Sequence, residues 1–229
     1  MRRLLITLLF SFVVLTISCD AAHDGEIDMS NSNLALPPPI LSGETALEQA
    51  LNKRRSVRQF SNQPLNLQEI GQLLWATQGI SDHDRGFRTA PSAGATYPLE
   101  VLIVVADAKE LAPGLYRYHP QGHELRIMKK GDLRSTFFRA ALNQSPIESA
   151  PATIVITAVH ERTETRYGGR AERYVAMEAG HAAQNLSLQA VALGLGTVVI
   201  GAFDDARIAE LLALHSGESP LYLIPMGRP

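Results

Sequence analysis

The sequence has a single cysteine among its 229 residues, and only 6% of its residues are aromatic. One cysteine excludes an internal disulfide framework and any metal site built from several thiolates, and we expect no metal. The small aromatic share gives no series of rings on which bases could stack. A formal net charge of −2 provides no general attraction to nucleic acid, so we expect no nucleic-acid partner. The chemistry must therefore come from a bound cofactor or from ordinary polar side chains.

The amino end has the pattern of an export signal. Arg2 and Arg3 precede an apolar run that ends at Ile17, and Cys19 follows two residues later. A basic start, a short apolar run and a small residue after it are typical of a secretory signal. The position of Cys19 resembles the lipidated cysteine of bacterial lipoproteins. The sequence thus predicts a signal over 1–19 and a lipid on Cys19, with an ordinary cleaved signal and an uncleaved anchor as alternatives.

The segment 20–41 is polar, small and closed by three prolines. Such a segment buries too little apolar surface to order itself, so it is interpreted as a flexible tether. We expect the folded domain to span 42–229. The predicted location is outside the bacterial cytoplasm, in the cell envelope, with the domain facing the periplasm or the exterior. The membrane would be contacted only through the lipid at the amino end.

Hydrophobic spacing predicts an α+β domain in which helices are in the majority. Asn66 and Glu69 form a capping-box pair that should begin one of the helices. The predicted helices cover 44–55, 66–79, 132–143, 172–193 and 204–214, and the predicted strands cover 99–106, 114–119, 124–128, 152–159, 197–202 and 221–226. The centre of the longest helix, 179–183, consists of small residues, which favours tight packing against a copy of itself.

Two short patterns resemble known binding motifs but lack the features that those motifs require. Gly194 and Gly196 follow a helix and precede a strand, whereas a dinucleotide-binding loop needs the opposite order. A helix end with a tight turn explains this pair better. Glu178 and His181 form one E-x-x-H step, but a di-iron bundle requires two such steps and two further glutamates. His181 is therefore interpreted as a hydrogen-bonded core or interface residue.

Three segments can carry chemistry. Three guanidinium groups and one hydroxyl within 54–58 can clamp a phosphate, although these residues could also be the solvated end of a helix. The segment 91–96 is small enough to let the backbone approach a flat ligand, or it could be a simple turn. The third segment, 199–202, ends a predicted strand with almost no side-chain bulk.

The order of these motifs resembles the nitroreductase superfamily, in particular its SagB-type dehydrogenase branch. The matching segments are 54–58, 91–94, 178–185 and 194–203, joined by 75–79 and 113–118. The resemblance covers about 42–229. It implies a nitroreductase-like fold, with a central mixed β-sheet flanked by helices. It also implies an FMN-dependent oxidoreductase and an obligate homodimer, with the long central helix at the subunit interface and NADH or NADPH as possible electron donors.

The resemblance also implies roles for individual residues. Pro91 to Gly94 would lie against the flavin of the partner subunit, and a backbone N–H near Gly201 would face flavin N5. The implied FMN contacts, including the phosphate and ribitol group at 54–58, are Arg54, Arg55, Ser56, Arg58, Pro91, Ser92, Ala93, Gly94, Val199, Ile200, Gly201, Ala202 and Arg228.

One departure bears on the reaction. Azoline-oxidising members carry a Lys-Tyr pair where this chain has Arg166 and Tyr167. A desolvated lysine can act as a base, whereas arginine keeps its proton. We take both residues as candidate catalytic residues, with Tyr167 able to exchange a proton and Arg166 suited to an anionic group. The sequence favours hydride transfer to or from a small or peptide-like substrate. Azoline dehydrogenation and a catalytically silent flavin- or ligand-binding lipoprotein are the alternatives.

Overall fold

The computed structural model describes residues 33–229. The predicted signal, Cys19 and the first part of the predicted tether lie outside the described residues. The helices are α1 (Leu47–Lys53), α2 (Leu67–Gln78), α3 (Arg134–Ala140), α4 (Ser145–Ser149), α5 (Glu161–Tyr167), α6 (Ala171–Ala192) and α7 (Asp205–Leu211). The strands are β1 (Asn33–Ala35), β2 (Ile80–Asp82), β3 (Phe87–Arg88), β4 (Leu99–Val105), β5 (Gly114–His119), β6 (Glu124–Lys130), β7 (Ala152–Val159), β8 (Gly196–Thr197) and β9 (Glu218–Gly227).

Seven strands form one sheet in the order β1-β6-β5-β4-β7-β9-β8, and β2 pairs with β3 in a separate hairpin. Every pair of neighbouring strands in this sheet is antiparallel. The sheet is thus antiparallel and not mixed as predicted. Among the described residues, parallel pairing occurs only at isolated bridges, one of which joins Ser56 to Thr197. The α+β class and the flanking helices are confirmed.

The central strand β4 shows why the sheet is buried on both faces. Val101, Ile103 and Val105 pack into one core with α2 and α6. Leu102 and Val104 point to the other face and pack with α3 and α7. Since successive strand residues alternate between faces, a continuous apolar run predicts this two-sided burial.

Helix α2 begins where its capping box predicts. The Asn66 side chain accepts a hydrogen bond from the Glu69 N–H, and the Glu69 carboxylate accepts one from the Asn66 N–H. The predicted strand over 197–202 is only partly confirmed. The ladder with β9 stops at Thr197, and beyond it only Ile200 bridges to Leu223. The chain leaves the sheet there, so its last residues are free to line a groove.

The ordered domain begins earlier than the predicted boundary at 42. Leu34 of β1 lies opposite Leu125, and Leu36 is buried. The His123 Nε2 contacts the Pro37 carbonyl at 3.0 Å, and the Ile40 N–H donates to Gln72 at 2.7 Å. The interpretation of 20–41 as one flexible tether is therefore wrong from residue 33 onward, because an edge strand and a proline contact anchor that part.

Helix α6 runs for 22 residues between the sheet and the surface. Ala179, Ala182 and Ala183 are buried, while Gly180 and His181 are exposed on the opposite side. Small residues on the buried side let α2 pack closely, and those on the exposed side leave a shallow surface. Among residues 33–229, no helix has the length and apolar character needed to span a bilayer.

Candidate functional site

The arginine-rich run after α1 is anchored beside β8. The Val57 N–H donates to the Thr197 carbonyl at 2.9 Å, next to the bridge between Ser56 and Thr197. A Cβ at Gly196 would lie 2.6 Å from the Val57 Cβ, so only glycine allows this approach. The close packing places the predicted phosphate-binding run beside the predicted flavin-binding strand end.

A groove of about 480 Å³ lies where these two segments meet. Its walls are Arg58, the segment 143–146 and the segment 198–202. The Gln144 side chain donates to the Ala202 carbonyl at 2.6 Å and closes one end. Gly201 is exposed, and its N–H makes no hydrogen bond to another backbone group within 33–229. The volume falls within the range of small-molecule sites.

The guanidinium groups at this edge lack acidic partners. Arg54, Arg55 and Arg58 form no ion pair with any carboxylate within the described chain. Arg55 donates instead to the carbonyls of Asn52 and Arg54 at 2.9 and 2.7 Å, which satisfies the open end of α1. Arg58 and Ser56 are exposed. Unpaired guanidinium groups beside a groove fit a phosphate-bearing ligand such as FMN.

Arg228 is held differently from the other predicted phosphate ligands. Its Nη2 donates to the Glu69 Oε1 at 2.6 Å, and its Nη1 lies 3.4 Å from the Pro64 carbonyl. The other carboxylate oxygen of Glu69 caps α2. Arg228 thus joins the carboxyl end of the chain to the start of α2. Its role in FMN binding stays a prediction.

The segment 91–94 forms a tight turn. A single 3₁₀ turn covers Ala93–Ala95, and Gly94 has φ of 60°. Ala95 and Tyr97 also have positive φ, at 53° and 45°. Because side-chain-bearing residues rarely adopt this conformation, the surrounding contacts must hold it. The turn places an exposed Pro91 and Gly94 at the surface.

The two predicted catalytic residues contact this turn. The Arg166 Nη1 donates to the Gly94 carbonyl at 3.2 Å. A Cβ at Gly94 would lie 2.6 Å from the Tyr167 hydroxyl oxygen. Further along α5, Thr163 and Thr96 share a hydrogen bond of 2.9 Å, and Arg162 donates to the Tyr97 carbonyl at 3.0 Å. Helix α5 therefore packs its polar side chains along the whole turn.

A buried polar cluster lies under the turn. Glu178 of α6 is 2% exposed, and its Oε1 is buried without a hydrogen-bond partner. Burial raises the pKa of Glu178 to about 7, against the opposing effects of Ser92, Arg88 and Ala93. Arg88 donates to the Gln78 side chain at 2.9 Å and stacks 4.9 Å from the Tyr97 ring centre. Burial also lowers the pKa of Arg88.

The predicted residues thus form two groups within one chain. One group combines 54–58 with 199–202 around the groove, and the other combines 91–94 with Arg166 and Tyr167. Among the described residues, no hydrogen bond or ion pair joins the two groups. Sequence reasoning missed Asn143, Gln144 and Ser145, because they follow a short helix without any motif.

Comparisons with known proteins show the family to which the chain belongs. The nitroreductase family model matches residues 51–228, and the chain belongs to that family. A nitroreductase candidate of Methanocaldococcus jannaschii is 46% identical over 185 residues, covering 81% of this chain and 92% of its own. The crystal structure of a nitroreductase candidate from Ralstonia eutropha is 32% identical, with a TM-score of 0.74 and coverage of 87% and 90%.

A third relative comes from a toxin operon. The trifolitoxin operon protein TfxC of Rhizobium leguminosarum is 26% identical over 211 residues. The match covers 86% of this chain and 59% of TfxC. This chain therefore spans well under two thirds of that protein.

Proposed function

We propose that this chain is an FMN-dependent oxidoreductase that moves a hydride to or from a small or peptide-like substrate. The observation that carries the proposal is the groove in which Arg58 and the exposed strand end at Gly201 face the same space. Membership of the nitroreductase family supports an oxidoreductase. FMN would supply the electron-carrying ring, while the protein binds and orients that ring and controls access to it.

The residues of the groove suit the two ends of FMN. Arg54, Arg58 and the Ser56 hydroxyl offer donors to a phosphate without a competing carboxylate. At the other end, the absence of a side chain at Gly201 lets a flat ring approach the backbone, since a Cβ there would meet only Tyr222 at 3.7 Å. Gln144 limits the groove beside Ala202.

We further propose a homodimer in which the 91–94 turn of one subunit covers the flavin of the other. Large apolar side chains of α1 and α6 support this arrangement. Leu47 is 60% exposed, Leu51 is 52% exposed and Met177 is 48% exposed. Helices α1 and α6 pack against each other, and an interface that buries these exposed side chains would be stabilised. A homodimer would also explain why the group at 54–58 and 199–202 lies apart from the group at 91–94 within one chain, because the two groups would meet across the subunit interface.

Arg166 bears on the substrate. It is exposed, carries no acidic partner among the described residues and stands at the rim of the turn. A permanent cation there favours an anionic group on the substrate. The relationship to TfxC keeps the SagB-type branch and peptide azoline oxidation as the second candidate. That reaction would need a base other than Arg166, and Tyr167 is the nearest candidate.

The proposed location is the bacterial cell envelope, with the domain held by a lipid on Cys19. Support comes from the sequence alone. Replacing Cys19 with alanine should move the protein from the detergent phase to the aqueous phase in a partition assay. A protein that partitions identically before and after the change would contradict the lipid anchor.

FMN titration tests the proposed site. Arg58→Ala should weaken FMN binding by about tenfold or more, because a charge-assisted hydrogen bond contributes roughly 1.5–3 kcal/mol. Arg139→Ala is the matched control, since Arg139 is an exposed arginine outside this groove. Equal FMN affinity of the wild type and Arg58→Ala would place the flavin elsewhere.

A further inference from the structure

Tyr97 has an unfavourable backbone conformation at the end of the 91–97 turn. Its φ is 45°, and Pro98 follows it, although a residue before a proline normally adopts an extended conformation. Such an outlier persists only where neighbouring groups hold it, and outliers of this kind concentrate at active sites and ligand-binding sites. The contacts of Tyr97 therefore show which side chains maintain the turn.

Tyr97 is held through its N–H, its ring and its carbonyl. The N–H donates to the Ser92 Oγ at 2.9 Å, within the turn itself. The Arg88 guanidinium lies 4.9 Å from the ring centre. The carbonyl accepts a hydrogen bond from the Arg162 Nη1 of α5 at 3.0 Å. Of these three contacts, the one with Arg162 acts on the backbone of the turn from outside it.

Arg162 is itself aligned by an acidic partner on the central strand. Its second terminal nitrogen, Nη2, lies 2.5 Å from the Glu100 Oε1 of β4. The guanidinium is a rigid planar fork, so a carboxylate bound at one nitrogen determines where the other nitrogen points. The side chain of Glu100 is only 21% exposed, which limits competition from water. Glu100 thereby directs the Nη1 N–H toward the Tyr97 carbonyl.

A buried ion pair stands behind Glu100 and restricts its movement. The Arg117 Nη1 lies 3.6 Å from the Glu100 Oε2, and both terminal nitrogens of Arg117 donate to Glu218, at 3.0 and 3.1 Å. The Glu218 side chain is fully buried and also accepts a hydrogen bond from the Thr157 hydroxyl at 2.5 Å. Opposite charges thus alternate along this row, and each side chain limits the freedom of the next one toward Arg162.

We infer that Arg162 is a positioning residue that holds the 91–97 turn in its strained conformation, and that Glu100 acts on the turn through Arg162. Without the guanidinium, the Tyr97 carbonyl loses its charged donor, and the positive φ has one restraint fewer. Without Glu100, Arg162 keeps its charge but loses the partner that aligns it. The consequence for flavin rests on the proposed function, in which this turn covers the ring.

Hydrogen exchange of the FMN-free protein tests the inference without flavin. The Ala95, Thr96 and Tyr97 amides report on the turn, because their hydrogen-bond acceptors all lie within it. In Arg162→Gln we expect their protection to fall roughly tenfold, since a charge-assisted hydrogen bond is lost. Protection at the centre of β4, for example at Ile103, should stay at the wild-type value. A general structural role would lower both sets of amides.

A double-mutant cycle tests whether Glu100 acts through Arg162. Glu100→Gln should reproduce part of the loss of protection in the turn. Combining Glu100→Gln with Arg162→Gln should add little to the loss in Arg162→Gln alone, because the second change removes the residue through which the first acts. Additive losses in the turn would overturn this part of the inference.

Two further variants complete the comparison. Arg162→Lys keeps a cation but lacks the planar fork, so it should restore part of the protection and also serves if Arg162→Gln does not fold. Arg173→Gln is the control, because Arg173 is an exposed arginine of the neighbouring helix α6 and should keep the wild-type protection. Wild-type protection of the turn in Arg162→Gln would overturn the inference, as would equal losses in the turn and in β4.

FMN titration of the same variants tests the link to the proposed site. If the turn covers flavin, the FMN dissociation constant should rise in Arg162→Gln and in Glu100→Gln and stay unchanged in Arg173→Gln. Failure of the wild type to bind FMN would contradict the proposed function and leave the exchange result standing. Normal FMN binding together with an unchanged turn in Arg162→Gln would overturn the inference and leave the proposed function intact.

Discussion

The Arg166 guanidinium donates to the Gly94 carbonyl at 3.2 Å. This contact joins a predicted catalytic residue to the turn predicted to face flavin. The Tyr167 hydroxyl lies against the same glycine. Arg166 is therefore placed to shape the rim of the proposed site, and Tyr167 stays the predicted residue for acid–base chemistry there.

Removing this contact should loosen the turn. Arg166→Ala deletes one charge-assisted but exposed hydrogen bond, for which we expect about 1 kcal/mol and a roughly fivefold weaker FMN affinity. Arg166→Lys retains a cation that can reach the carbonyl and should stay close to the wild type. Isothermal titration with FMN measures both. An unchanged affinity in Arg166→Ala would show that this contact does not position the turn.

A side chain at Gly94 should not be tolerated. In Gly94→Ala the new Cβ would meet the Tyr167 hydroxyl at 2.6 Å, and φ of 60° adds strain. We expect a loss of about 1–3 kcal/mol in the free energy of unfolding. Gly86→Ala is the control, because Gly86 has φ of 69° but no atom within 4 Å of a Cβ.

The double variant Gly94→Ala, Tyr167→Phe tests the cause. Removing the hydroxyl should recover part of the lost stability, measured by urea unfolding. Equal losses in Gly94→Ala and Gly86→Ala would mean that strain alone, and not Tyr167, restricts this position.

Much of the fold could be predicted from local patterns. The capping box at Asn66 and the apolar run of β4 determine their elements through short-range chemistry. The edge strand β1 could not be predicted, because its pairing with β6 joins Asn33 to Arg126, far along the chain. Helix α5 was missed because its sequence is mostly polar and only Thr163 is buried.

The candidate site, like the fold, could be predicted from local sequence patterns only in part. The arginine run and the small strand end are visible as motifs, and the structure brings Arg58 of that run and the strand end to one groove. The partner of Arg228 is not visible in sequence, since Glu69 lies 159 residues away. Arg88 was also missed, because it is a lone arginine whose role depends on Gln78 and Tyr97.

The pair of Arg228 and Glu69 predicts a stability effect without flavin. Arg228→Met should destabilise the FMN-free protein by about 1–3 kcal/mol, because Glu69 would keep a largely buried charge with one partner fewer. Arg54→Met is the control, since Arg54 has no ion pair among the described residues. Differential scanning calorimetry compares the two. If both variants have the melting temperature of the wild type, Arg228 does not stabilise the flavin-free fold, and its role would be limited to ligand binding.

Glu178 predicts a pH dependence of global stability. Its folded pKa of about 7 exceeds the ordinary 4.5, so the folded state binds the extra proton between these values. The stabilising contribution is fully present below pH 4.5 and is lost as pH rises through 7. The difference in melting temperature between Glu178→Gln and the wild type should therefore grow in favour of the variant over this range. A constant difference would contradict the raised pKa.

The visible absorbance spectrum of the purified protein, recorded without oxygen before and after addition of NADH or NADPH, tests the central claim most directly. The account predicts a yellow protein with one FMN per chain whose flavin band bleaches and returns with an electron acceptor. A colourless protein that takes up no FMN would contradict the account. Retained flavin that no reductant bleaches would leave a binder without the proposed activity.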